Sequence, residues 1–88
     1  AMRAVFCYHK VGPEAEEGRY LNIDPENLRS HIRFFKRRNI PLIAAKDIPT
    51  TTGSFACLTF DDCYTSTLTY GLDVLQSEGV TATLYAVS

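Results

Sequence analysis

Residues 55–60, FACLTF, form a near-continuous apolar run in a chain of 88 residues. A strand with one face in water alternates apolar and polar side chains, whereas an unbroken apolar run is typical of a parallel strand that is buried on both faces. Asp61 and Asp62 follow this run directly. The run therefore predicts an α/β fold built on a parallel sheet, with two carboxylates at the carboxyl end of one buried strand.

The rest of the chain alternates between strand-like and helix-like segments. β-prone runs at 3–8, 40–45 and 81–87 predict three more strands, with the one at 40–45 weakened by Pro41. Residues 25–38 and 65–78 have helical patterns, and 11–24 and 46–54 have the composition of loops. The predicted order is β-α-β-β-α-β in one domain, residues 1–88.

Local signals place the ends and buried faces of the two helices. Asp24 is the expected N-cap of the first helix, with Pro25 at its first position. The second helix is expected to end at Gly79 in the left-handed conformation. The apolar residues that helical spacing puts on the buried faces are Leu28, Ile32 and Phe35 in the first helix and Leu68, Leu72 and Leu75 in the second.

Composition excludes several classes of function. The net charge of −1 and the lack of a basic face beyond Lys36–Arg38 argue against a nucleic-acid partner. No stretch approaches the ~20 apolar residues of a membrane span, and the first residues read as a strand rather than as a signal peptide. Because Ala1 precedes Met2, we leave export and localisation open.

Cys7, Cys57 and Cys63 are an odd number of cysteines without a CxxC pair. This pattern does not favour a disulfide framework or a zinc knuckle. We expect free thiols, with Cys7 and Cys57 acting as small core residues in strands.

Adjacent carboxylates at the end of a buried strand have two interpretations. Side chains alternate in extended backbone, so one carboxylate can bind a metal ion while the other acts as a general base toward a water beside it. Alternatively, Asp62 caps the helix that follows. Tyr8 and His9 stand at the corresponding end of the first strand, where chemistry collects in parallel α/β sheets.

The motif TFDDCY at 59–64 resembles the TFDDGY-type first motif of the polysaccharide deacetylases, the NodB-homology carbohydrate esterases. The opening FCYHKVGP, the segment PENLRSHIRFFKRRNIPLI and the segment LTYGLDVLQSEGVTATLYAV are also similar to the sequences around that motif. The resemblance covers nearly the whole chain but only the first part of the family's domain. It implies the parallel-sheet portion of a distorted (β/α) barrel, truncated after its opening strands.

The resemblance also implies an activity and a set of roles. The complete protein would be a metal-dependent hydrolase that removes N-acetyl groups from amino-sugar polysaccharides. By position, Asp61 would be the general base and Asp62 a ligand of a divalent metal, for which we expect zinc. His9 and Tyr8 would form part of the wall of the site.

The family's other metal ligands come from an H-x-x-x-H motif that these 88 residues lack. Their histidines are His9 and His31, and we expect His31 to be a packing or surface residue of the first helix. Because catalytic zinc takes three protein ligands, the chain holds half a site. We expect it to be inactive alone, and it is open whether it binds metal. Cys63 stands where the family has glycine, so the orientation of the Asp61 and Asp62 side chains is left open.

Three other interpretations of the function remain. A haloacid-dehalogenase-type phosphatase also places aspartates after a strand, but with D-x-D spacing. A Cys63–His9 hydrolase is disfavoured, because neighbouring carboxylates raise the pKa of a thiol. The third reading is a non-catalytic module that forms homo-oligomers through an exposed sheet.

Overall fold

In the computed structural model, which describes residues 1–61 and 67–85, a central parallel strand organises the fold. This strand, β4 (Phe55–Phe60), is buried at all six positions. It lies between β1 (Arg3–Tyr8) and β5 (Thr83–Leu84), and both neighbours run parallel to it. The predicted α/β class and the buried parallel strand at 55–60 are confirmed.

Two helices cover one face of this sheet. α2 (Pro25–Arg37) precedes β4 in the chain, and α3 (Leu72–Glu78) lies between β4 and β5. The Asp24 carboxylate accepts a hydrogen bond from the Glu26 amide at 2.9 Å, which confirms the predicted N-cap. Gly79 ends α3 with a φ of 66°, as predicted. The buried apolar core between helices and sheet consists of Val11, Leu28, Ile32, Phe35, Ala56, Leu58, Phe60, Val74 and Leu75.

The start of the last helix differs from the prediction. Residues Thr67–Gly71 form a π-helical turn before α3. Because this turn is wider than an α-helical one, it changes which side chains face the sheet. Leu68 is 46% exposed, so its predicted place in the core is wrong, whereas Thr67 and Val74 are buried.

The predicted strand at 40–45 pairs with the sheet at one residue. Leu42 pairs with Ala56 on the edge of β4 opposite β1, and a 3₁₀ helix follows at Ala45–Thr50. The reason is that β5 occupies the same edge of β4 farther along, at Thr59 and Phe60. The segment therefore contributes a bridge rather than a full strand.

The predicted loop at 11–24 contains short elements of its own. β2 (Lys10–Val11) pairs in parallel with β3 (Asn22–Ile23), and the four-residue helix α1 (Glu14–Glu17) lies between them. The Asn22 amide group donates hydrogen bonds to the carbonyls of Gly12 and Gly18, both at 3.0 Å. These bonds join the start, the middle and the end of the loop.

The two cysteines in strands have different surroundings. Cys57 is fully buried in β4, and burial raises the pKa of its thiol. Cys7 is exposed on the outer face of β1, so its predicted core position is wrong. Both are free thiols, as predicted, and Cys63 lies outside the described residues.

Among residues 1–61 and 67–85, no helix has the length and apolar character that crossing a bilayer requires.

Candidate functional site

The carboxyl ends of β1 and β4 bring three of the predicted site residues together. Tyr8 and Phe60 are partners in the register of the two strands, so His9 and Asp61 each come directly after a strand. The Asp61 amide donates a 2.8 Å hydrogen bond to the Tyr8 carbonyl, which extends the pairing by one residue. The backbone at Tyr8, His9 and Asp61 therefore forms one continuous edge.

Asp61 is partly buried at this edge. Within the described part of the chain, no side chain forms a hydrogen bond or an ion pair with its carboxylate. Asp62, the predicted metal ligand, lies outside the described residues. The catalytic role of Asp61 and the metal-binding role of Asp62 stay predictions.

Tyr8 is held on the helix side of the sheet. Its ring stacks on Phe60 with centroids 5.2 Å apart, and its hydroxyl lies 2.9 Å from His31 Nδ1 on α2. Burial raises the pKa of the Tyr8 hydroxyl above its ordinary value. His31 is an exposed residue that bonds to Tyr8, which agrees with its predicted place at the surface of the helix.

His9 borders a cleft of about 490 Å³ at the carboxyl end of β1. The cations in its wall already have partners: Lys10 Nζ donates to the Glu17 carbonyl at 3.1 Å, and Arg19 Nε lies 2.8 Å from a Glu14 carboxylate oxygen. The cleft is lined by Cys7, Tyr8, His9, Lys10, Arg19, Leu21, Asn22 and Ile23. Tyr8 and His9 thus line a cleft at the strand ends, and their role toward a substrate stays a prediction.

Sequence reasoning did not identify the residues of this cleft beyond Tyr8 and His9. Lys10 and Asn22 are brought together because β2 and β3 pair, with Lys10 directly opposite Asn22. A two-residue strand has too little pattern to be recognised in a sequence. The available signal was Gly12-Pro13, which marks a turn but not where the returning chain will pair.

A divalent metal needs more ligands than the described residues bring together. In residues 1–61 and 67–85, no three side chains of His, Cys, Asp or Glu are placed so that they could hold a metal ion. His9 and His31 cannot supply an H-x-x-x-H pair, because they lie 22 positions apart in the sequence. By themselves, therefore, the described residues do not fit a catalytic zinc.

Comparisons with known proteins agree with the fold and the motif. A sequence model of the polysaccharide deacetylase family matches residues 48–88. A search of proteins with curated functions finds no match. The Streptococcus pyogenes deacetylase PplD, solved in complex with acetate, superposes with a TM-score of 0.80 and 15% identity, over 99% of this chain and 43% of that one. A polysaccharide deacetylase from Bacillus cereus superposes with a TM-score of 0.70 and 22% identity, over 88% of this chain and 25% of that one.

These findings confirm the resemblance to the polysaccharide deacetylase family. The fold is that of the parallel-sheet part of the (β/α) barrel in these deacetylases. The chain spans less than half the length of either solved protein, 43% of one and 25% of the other.

Proposed function

We propose that residues 1–88 form the amino-terminal part of a metal-dependent polysaccharide deacetylase domain, which hydrolyses the N-acetyl amide of amino sugars. The observation that carries this proposal is the position of Asp61. It stands at the carboxyl end of the central buried strand, beside the end of β1, and within the segment that matches the family.

Asp61 is the proposed general base. A general base must reach the proton that it removes, and its carboxylate must not already be paired with a cation. Among the described residues, the Asp61 carboxylate has no such partner. In the proposed reaction, Asp61 accepts a proton from the water that attacks the acetyl carbonyl carbon.

Asp62 is the proposed ligand of a divalent metal, for which zinc is our first choice. Such a metal supplies the positive charge that polarises a carbonyl oxygen and lowers the pKa of water. The remaining ligands must come from outside these residues, because the chain has no H-x-x-x-H motif. We therefore expect the 88 residues alone not to deacetylate a glycan.

The proposed substrate is an N-acetylated polysaccharide that lies across the carboxyl ends of the strands. Tyr8 and His9 line a cleft at the carboxyl end of β1, and this supports their proposed place in the wall of the site. A long glycan needs an open surface of this kind rather than an enclosed cavity.

Calorimetric titration with Zn²⁺ tests the metal site. We expect the wild-type chain to bind Zn²⁺ weakly and Asp62→Asn to bind it at least about tenfold more weakly. Loss of an outer partner of a metal ligand typically costs about 10–100-fold in affinity, and loss of a ligand itself costs at least as much. The matched control is Asp73→Asn, which removes an exposed carboxylate from α3. Equal affinities for wild type and Asp62→Asn would contradict the proposed ligand.

A second candidate function is self-association without catalysis. β1 lies at the edge of the described sheet, and Val5 on its outer face is 51% exposed. Leu84 on β5 is 37% exposed. Exposed edges and apolar sheet faces favour pairing between chains.

A further inference from the structure

The π-helical turn Thr67–Gly71 begins with a buried hydroxyl group. Thr67 is 1% exposed, and its Oγ1 donates a 2.6 Å hydrogen bond to the carbonyl of His9. Buried polar groups are nearly always paired, and most threonine hydroxyls in helices bond to carbonyls of their own helix. This hydroxyl instead bonds to a residue 58 positions earlier in the chain.

The same stretch of backbone receives a second hydrogen bond. The Asp61 amide donates to the carbonyl of Tyr8 at 2.8 Å, one residue before the carbonyl that Thr67 binds. Two successive carbonyls, that of the last residue of β1 and that of His9 after it, therefore accept one hydrogen bond from Asp61 and one from Thr67.

The rest of the turn also packs against the chain that follows β1. A Cβ atom added to Gly71 would lie 3.4 Å from Val11 Cγ2, at van der Waals contact, so the turn packs directly on β2 at this point. The Tyr70 hydroxyl donates to the Glu16 carboxylate at 3.0 Å. The π-helical turn is thus docked along residues 9–16 at three places, and π-helical turns of this kind frequently occur at functional sites.

We propose that Thr67 is a positioning residue for the site. Its hydroxyl sets the position of His9 relative to Asp61, and so holds the proposed base at the carboxyl edge of the sheet. The consequence for catalysis rests on the proposed function, whereas the consequence for Asp61 can be measured without any activity.

Two substitutions separate the hydroxyl from the methyl group. Thr67→Val keeps the shape of the side chain and removes the donor, whereas Thr67→Ser keeps the donor. Amide hydrogen exchange followed by NMR reports on the bond between Asp61 and Tyr8. Because the net effect of a lost buried hydrogen bond corresponds to about a tenfold change in an equilibrium, we expect exchange at the Asp61 amide to be about tenfold faster in Thr67→Val.

The Leu58 amide, in the middle of β4, is the internal control. We expect the exchange rate of the Leu58 amide to be unchanged in both variants. In Thr67→Ser, the exchange rate of the Asp61 amide should equal that of the wild type. Unchanged exchange at Asp61 in Thr67→Val would overturn the proposal. Equal acceleration at Asp61 and Leu58 would also overturn it, because that result describes general destabilisation rather than positioning.

Zn²⁺ titration of the wild-type chain separates this inference from the proposed function. A wild-type chain without measurable Zn²⁺ binding would count against the proposed metal site, while hydrogen exchange at Asp61 would still decide the role of Thr67.

Discussion

At the scale of single residues, Glu78 forms more ion pairs than any other residue that the structure describes. It is the last residue of α3, and its side chain is 8% exposed. Its carboxylate lies 3.1 Å from Arg33 Nη2 and 2.9 Å from Arg29 Nη1, and it also contacts Lys36. The hydrogen bond from Arg33, followed by that from Arg29, lowers the pKa of Glu78 from 4.5 to about 2.

Glu78 should therefore make folding stability depend on pH in the acid range. A carboxyl group whose pKa is lower in the folded state stabilises the fold above its unfolded pKa, and that stabilisation is lost as the pH falls through the folded pKa. For Glu78 this range runs from 4.5 down to about 2. We expect Glu78→Gln to lower the melting temperature near neutral pH and to lose less stability than the wild type on acidification.

Thermal unfolding across that pH range, followed by circular dichroism, measures this effect. Glu14→Gln is the matched control, because Glu14 pairs with an Arg19 side chain that is 86% exposed, and surface pairs of this kind contribute little. Parallel stability curves for wild type and Glu78→Gln would show that Glu78 is not the group responsible.

At the scale of elements, the strand and the helix with a regular apolar pattern could be predicted from the sequence, whereas the irregular turns could not. β4 was identified because six successive apolar or small residues indicate a buried strand. α2 was identified because apolar residues at i, i+4 and i+7 indicate a helix with one buried face. The π-helical turn was missed because Leu68, Leu72 and Leu75 also fit an α-helix. In the π-helical conformation, Thr67 contacts His9 and Gly71 packs on Val11. These contacts join distant parts of the chain, so the local sequence pattern does not reveal them.

β1 is the element that the second candidate function, self-association, would use. If its outer face is an interface between copies of the chain, Val5→Lys should weaken association, because lysine on an edge strand opposes pairing. Sedimentation velocity at increasing concentration measures this. Leu68→Lys is the control, since Leu68 is 46% exposed but lies on the helical turn rather than on the sheet. A wild-type chain that stays monomeric at every concentration would exclude this second candidate function.

At the scale of the whole molecule, the sequence predicted the class of fold and the edge at which the candidate site lies. Parallel pairing puts the ends of β1 and β4 side by side, so Asp61 had to lie near Tyr8 and His9 once the strands were recognised. The cleft formed by Lys10, Arg19 and Asn22 could not be predicted, because it depends on how residues 12–21 fold back on β1. The match to the deacetylase family covers residues 48–88, which include β4 and Asp61.

The most direct test of the central claim is to map where a glycan binds. We would record ¹H–¹⁵N NMR spectra of the 88-residue chain during titration with an N-acetylated chito-oligosaccharide in the presence of Zn²⁺. Binding at the carboxyl ends of the strands predicts shift changes concentrated at Tyr8, His9 and Asp61. Shift changes concentrated instead at the opposite ends of the same strands, around Arg3 and Phe55, or no changes at all, would contradict the account.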